Sequence, residues 1–225
     1  MKMRGACLSM LTIVWLMAAV APASAGTLYE NGPVDDDTDA WIINQGYVVS
    51  DTFTLGANSM VRGFDFTVWE FPGDTVLSVD WSLTSQANGG TSYGSGTANV
   101  ISTFLYVNAY GYYIYQLSAA VPGVALDAGT DWINLQNAVV PSGDQVYWDE
   151  NSGEGCHSLG CPSLAYDSSV GTIPSETFTI EGNSAGTTPE PSTVILLGSA
   201  IVGFTGVRRR AWVPEGARRG HRPRS

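Results

Sequence analysis

Leu77-Ser78-Val79-Asp80-Trp81-Ser82-Leu83-Thr84 sets an apolar side chain at every second position and a polar one between. Successive side chains of an extended chain point to opposite faces, so a period of two describes a β-strand with one buried face. The pattern returns at Thr52-Phe53-Thr54-Leu55, Phe64-Asp65-Phe66-Thr67-Val68 and Thr177-Phe178-Thr179-Ile180-Glu181. Val100 to Val107, Tyr110 to Leu117, Asp131 to Gln136 and Gln145 to Asp149 are further strand candidates. Pro72-Gly73-Asp74 and Pro141-Ser142-Gly143-Asp144 mark turns, and Gly89-Gly90 with Gly94 and Gly96 marks a flexible hairpin end. No helical period interrupts the stretch from Gly26 to Thr188. About eight or nine strands at regular spacing predict an all-β fold, an antiparallel β-sandwich of jelly-roll type, over residues 26–186. Asn151 to Pro174 is the longest stretch without a strand signal.

Charge divides the chain in the same way. Nineteen of the 21 acidic residues lie between Gly26 and Thr188, but only Arg62 of the ten basic ones, so this stretch has a formal net charge of −18. A body this acidic is repelled by nucleic acid and by anionic lipopolysaccharide, which excludes nucleic-acid binding as a function.

The basic residues belong to the two ends. Lys2 and Arg4, the apolar run Leu8 to Val20, and Ala23-Ser24-Ala25 before Gly26 form the three parts of a secretory signal peptide, residues 1–25. Signal peptidase is the partner this implies, with cleavage governed by the small residues Ala23 and Ala25. At the other end Pro189-Glu190-Pro191 leads into an apolar run from Ser192 to Val207, which stops at Arg208-Arg209-Arg210. A helix of that length covers roughly 24 Å, a little short of the bilayer core, and its arginines can snorkel. Basic residues at both ends place both termini in the cytoplasm and the body between them outside.

The order of short polar motif, transmembrane helix and basic stop over residues 187–210 resembles the PEP-CTERM sorting signal of Gram-negative bacteria. The resemblance implies that the inner membrane is a transient anchor and that exosortase, a membrane transpeptidase, processes the chain near Pro189-Glu190-Pro191. It further implies release to the cell surface or the extracellular space, and a structural or adhesive role associated with exopolysaccharide and biofilm. Chains of this kind usually end soon after the arginines, whereas this one continues from Ala211 to Ser225, expected to be a basic disordered tail. Phe64-Asp65-Phe66-Thr67-Val68-Trp69, Phe71-Pro72-Gly73-Asp74, Ala128 to Leu135 and Val146 to Gly153 look like an exported domain recurrent among PEP-CTERM proteins. That likeness brings no activity with it.

Several constellations bear on chemistry. Cys156 and Cys161 are an even pair in an exported chain and read as a disulfide; a zinc site with His157 lacks a fourth ligand nearby. Asp35, Asp37 and Asp39 alternate as calcium ligands do, although the glycine and glutamate of an EF-hand are missing; the other reading is a solvated acidic loop. No other cofactor is expected. Trp148, Asp149 and Glu150 suggest a sugar-binding surface, because an exposed ring stacks on a sugar and carboxylates accept its hydroxyls. With Glu154 they also suggest a polysaccharide hydrolase, but neighbours on a strand face opposite ways and cannot both flank one bond. His157 is the single histidine of the exported stretch, and no Gly-x-Ser-x-Gly elbow, P-loop or dinucleotide fingerprint is present. A non-enzymatic protein is therefore expected, with a carbohydrate-binding module, calcium-assisted or not, as the alternative to a structural element. The remaining aromatics, Tyr106, Tyr110, Tyr112, Tyr113, Tyr115, Trp132 and Tyr147 among them, read as packing between sheets or as stacking surfaces.

Overall fold

The computed structural model describes residues 25–34, 39–151 and 163–185. The signal peptide with Ala23, the residues Asp35 and Asp37, the cysteines Cys156 and Cys161, and the sorting signal with Pro189, Glu190, Pro191 and Arg208 to Arg210 all lie outside them. Among the described residues no helix is long and apolar enough to cross a membrane.

The described chain is all β, in twelve strands: β1 Gly26–Glu30, β2 Ala40–Ile42, β3 Val48–Leu55, β4 Ser59–Glu70, β5 Ser78–Gln86, β6 Gly89–Val107, β7 Tyr113–Leu126, β8 Gly129–Val139, β9 Tyr147–Asp149, β10 Ala165–Asp167, β11 Gly171–Ile173 and β12 Phe178–Ser184. The main path of hydrogen-bonded neighbours runs β1-β12-β4-β7-β6-β5-β8-β3-β10-β11, and β9 joins β2 to β4 beside it. All pairings are antiparallel.

This path cannot be flat. Neighbouring strands lie about 4.8 Å apart, so β4 and β5, three steps apart, would be separated by about 14 Å. Yet the rings of Phe64 on β4 and Trp81 on β5 meet at 6.3 Å. β1 and β3 are seven steps apart, but Tyr29 and Phe53 also meet at 6.3 Å. The sheet curls into a half-barrel and encloses its own core. Its bend lies in β6, whose first half pairs with β5 up to Asn99 and whose second half pairs with β7 from Val100. The antiparallel all-β expectation holds in this form, one continuous curled sheet.

Alternation supplies the core. Val79, Trp81 and Leu83 of β5 point inward with Phe64, Phe66 and Val68 of β4, Ile133 and Leu135 of β8, and Phe178 and Ile180 of β12. Two glycines let β4 bend between its neighbours. A Cβ on Gly182 would stand 2.1 Å from the Met60 carbonyl oxygen, and one on Gly63 would stand 2.8 Å from that of Ala119. Both adjoin register shifts, where strands curve most easily.

Three local expectations need correction. Leu77 is half exposed, because β5 begins one residue later and Leu77 sits at the rim, bridging Val139 and Val100 through its backbone. Tyr110 to Tyr112 form a turn rather than the start of a strand. The Asn108 side-chain oxygen accepts the N–H groups of Tyr110 and Tyr112, each at 3.0 Å, and fixes the chain reversal before β7. The stretch read as strandless after Asn151 contains β10 and β11, a hairpin that pairs with β3 through Ala165 to Asp167.

Candidate functional site

A cleft of about 670 Å³ opens where the start of β4, the β7–β8 turn and the end of β12 meet Tyr93 of β6. The turn is short because β7 ends at Leu126 and β8 begins at Gly129. Asn58 fastens both rims: its side-chain oxygen accepts the Ala128 N–H at 3.0 Å, and its carbonyl accepts the Ala185 N–H at 2.6 Å. Arg62 stands beside the cleft and donates through Nε to Asn183 Oδ1 at 3.3 Å.

Tyr93 and Asp131 are the chemical centre. Tyr93 is 42% exposed, whereas Asp131 is largely buried on β8. Burial pushes the Asp131 carboxyl up from its ordinary range, the neighbouring Tyr93 hydroxyl pulls it down, and the charge of Asp127 raises it again. The Tyr93 phenol is raised too, by desolvation first and then by Asp131 and Asp127. The cleft thus offers an aromatic ring, two carboxylates and the amides of Asn58 and Asn183 on one surface. Such a set can stack on a ring and hydrogen-bond hydroxyl groups.

The residues singled out by sequence lie elsewhere. Trp148 is completely buried, edge-on to Phe178 at 5.7 Å and Phe66 at 6.2 Å, and its indole N–H donates to the Thr177 carbonyl at 2.8 Å. It fills the core and offers no outer stacking surface, which corrects that reading. Asp149 and Glu150 are buried as well, each accepting an indole N–H: Asp149 that of Trp69, and Glu150 that of Trp41 at 2.7 Å. Asp39 is exposed, accepts the Ala40 N–H at 2.9 Å, and through its carbonyl accepts the N–H of Glu150 at 3.0 Å. Among the described residues no group of three or more His, Cys, Asp or Glu side chains is arranged to hold a metal. The aromatics mostly pack on one another. Tyr112 touches Trp69, Phe71 and Tyr147, and Tyr110 stacks on Trp69 at 5.8 Å while remaining exposed to solvent.

Buried carboxylates are the other unforeseen feature. Asp51 accepts the Thr52 N–H at 2.6 Å, the Glu176 N–H at 2.7 Å, Asn31 Nδ2 at 3.2 Å and the Ser163 hydroxyl. Burial still raises it to about 7 against those bonds. Glu176 is fully buried and raised well above the usual range, by desolvation first and then by the charges of Asp51, Glu150, Asp149 and Asp39. Asp51 shares its parity with Phe53 and Leu55, so the alternation already pointed it inward.

Comparison with known proteins places the addressing signal. The model of the PEP-CTERM protein-sorting motif matches residues 187–210. The chain is thus an exported protein with exosortase as its processing partner and a membrane-anchored sorting intermediate. No curated protein matches the chain.

Proposed function

We propose that the all-β body is a non-enzymatic binding module of the cell surface or extracellular matrix, and that its cleft holds an uncharged polyhydroxylated polymer such as an exopolysaccharide. The observation that carries the reading is the cleft itself, with Tyr93 half open to solvent above Asp131 and amides at its rims. A sugar ring would lie on Tyr93 through its C–H face, and its hydroxyls would donate to Asp127 and Asp131. The net charge of −18 favours a neutral polymer over an anionic one.

Secretion supports this role. Signal peptidase would free the chain at Ala25, and the helix at 192–207 would hold it in the inner membrane until exosortase acts at Pro189-Glu190-Pro191. The body would then serve as a structural or adhesive element of a biofilm polymer layer, the two halves of its curled sheet acting as the layers of a jelly-roll-like sandwich. Absence of turnover belongs to the proposal. Asp149 and Glu150, whose sequence pattern suggests hydrolysis, are each engaged with a tryptophan.

Affinity electrophoresis of the processed protein through neutral and anionic polysaccharides tests the reading, with and without a calcium chelator. Retardation by a neutral polymer, weakened about ten-fold or roughly 1.4 kcal/mol by Tyr93→Ala, supports it. A chelator effect that is lost on replacing Asp35, Asp37 and Asp39 with asparagine would assign calcium to that loop. No retardation by any neutral polymer, or retardation unaffected by Tyr93→Ala, rejects the cleft as the binding site, and release of shorter sugars rejects the non-enzymatic part.

A further inference from the structure

From Trp81 to Leu126 the chain carries no charged residue, 46 positions in a body of net charge −18. The long β6–β7 hairpin lies within that span. In its second half β6 exposes Ile101 (74%), Phe104 (50%), Leu105 (38%) and Val107 (50%). The backbone is exposed in the same place. β5 leaves β6 at Asn99, the last bond on that side runs from the Val100 N–H to the carbonyl of Leu77 just before β5, and beyond it β6 is paired with β7 alone. Among the described residues no strand covers the other edge from Ile101 to Leu105.

An edge of this kind is a template for another strand. Natural sheets usually guard such edges with lysine, proline or an inward charge. Ile101-Ser102-Thr103-Phe104-Leu105 has none of these, its one irregularity is the register shift at Leu105 where the free stretch ends, and its side chains favour strand pairing.

We propose that this edge pairs antiparallel with the same edge of a second copy, on a two-fold axis through Thr103. The segment is complementary to itself about that point. Ile101 faces Leu105 of the other copy twice, Ser102 faces Phe104 twice, and the two Thr103 hydroxyls meet at the axis. Charge selects the face: two bodies of −18 repel one another, and contact through this hairpin brings no charged residue of its 46-position span into the interface. Self-association through β6 is independent of the cleft, so failure of either reading leaves the other standing.

The test is a disulfide at the axis. Residues directly opposed across antiparallel strands have Cα atoms about 4.5–5.5 Å apart, within the roughly 4.4–6.8 Å that a disulfide spans. Thr103→Cys in the exported chain, treated with copper–phenanthroline, should give a dimer whose proteolytic fragments are joined at position 103. Its yield should exceed that of Thr91→Cys, exposed at the other end of β6 where that strand pairs with β5, by more than ten-fold. Adding Ile101→Lys and Leu105→Lys to Thr103→Cys should remove the cross-link while the β-type circular dichroism stays unchanged, both side chains being exposed in the single copy. Equal yields at positions 91 and 103, a cross-link that survives the two lysines, or a link from position 103 only to a different protein would each overturn the proposal.

Discussion

Replacing Glu70 with glutamine should make the protein's stability less sensitive to pH. Glu70 ends β4 with its side chain fully buried, and neither carboxylate oxygen has a hydrogen bond of proper geometry. Burial raises its carboxyl from 4.5 to about 7; the nearby Val76 backbone N–H lowers it and the charge of Asp74 raises it. Below pH 4.5 the group is protonated whether the chain is folded or not, and it contributes no pH dependence. Between 4.5 and 7 the unfolded chain gives up a proton that the folded chain retains, so stability falls as pH rises. Above 7 the loss is constant, at most about 3 kcal/mol for a shift of that size. Glutamine keeps the shape but cannot ionise. Any cost of burying its amide applies equally at every pH, so it cancels when two pH values are compared. Urea unfolding followed by tryptophan fluorescence should therefore show Glu70→Gln gaining about 3 kcal/mol relative to the parent between pH 4 and pH 8.5. A difference between the two proteins that stays constant within about 1 kcal/mol across that range would refute the reasoning.

Trp148→Ala should cost about 3–5 kcal/mol in the same unfolding assay, because it empties the space between Phe66 and Phe178; a loss below about 1 kcal/mol would mean the ring is not sealed in the core. Gly182→Ala should cost at least about 1–3 kcal/mol, since its new methyl group would collide with the Met60 carbonyl, and unchanged stability would contradict that contact.

The strands were legible where alternation is long enough to count. Phe64 to Val68 and Val79 to Thr84 announce β4 and β5 because a period of two over five or more residues leaves few other folds. β2, β10 and β11 have three residues each, too few to show a period, and were invisible. β7 was read only as far as Leu117, since Ser118 to Gly123 includes Pro122. That proline falls between Ala120 and Val124, where the pairing with β4 shifts register and a strand tolerates it. The glycines of the first half of β6 suggest a flexible end, yet Gly94 is held where a Cβ would stand 2.7 Å from the Val124 side chain of β7, and Gly96 packs against the Trp81 ring.

The candidate site was less legible than the fold. Tyr93 and Asp131 lie far apart in sequence and meet only across β5, which pairs with β6 on one side and with β8 on the other. Trp148 drew attention through its acidic neighbours, although Val146 and Trp148 share a parity and both turn inward. Sorting information, by contrast, is local, and a short motif, an apolar run and three arginines can be read without any fold.

The most direct test of the whole account is intact mass spectrometry of the form recovered from the cell surface or medium. A mass that begins at Gly26 and ends near Pro189-Glu190-Pro191 is predicted, two hydrogens lighter than the reduced chain if Cys156 and Cys161 are joined. A single species retaining Met1 and the arginines at 208–210 would contradict it.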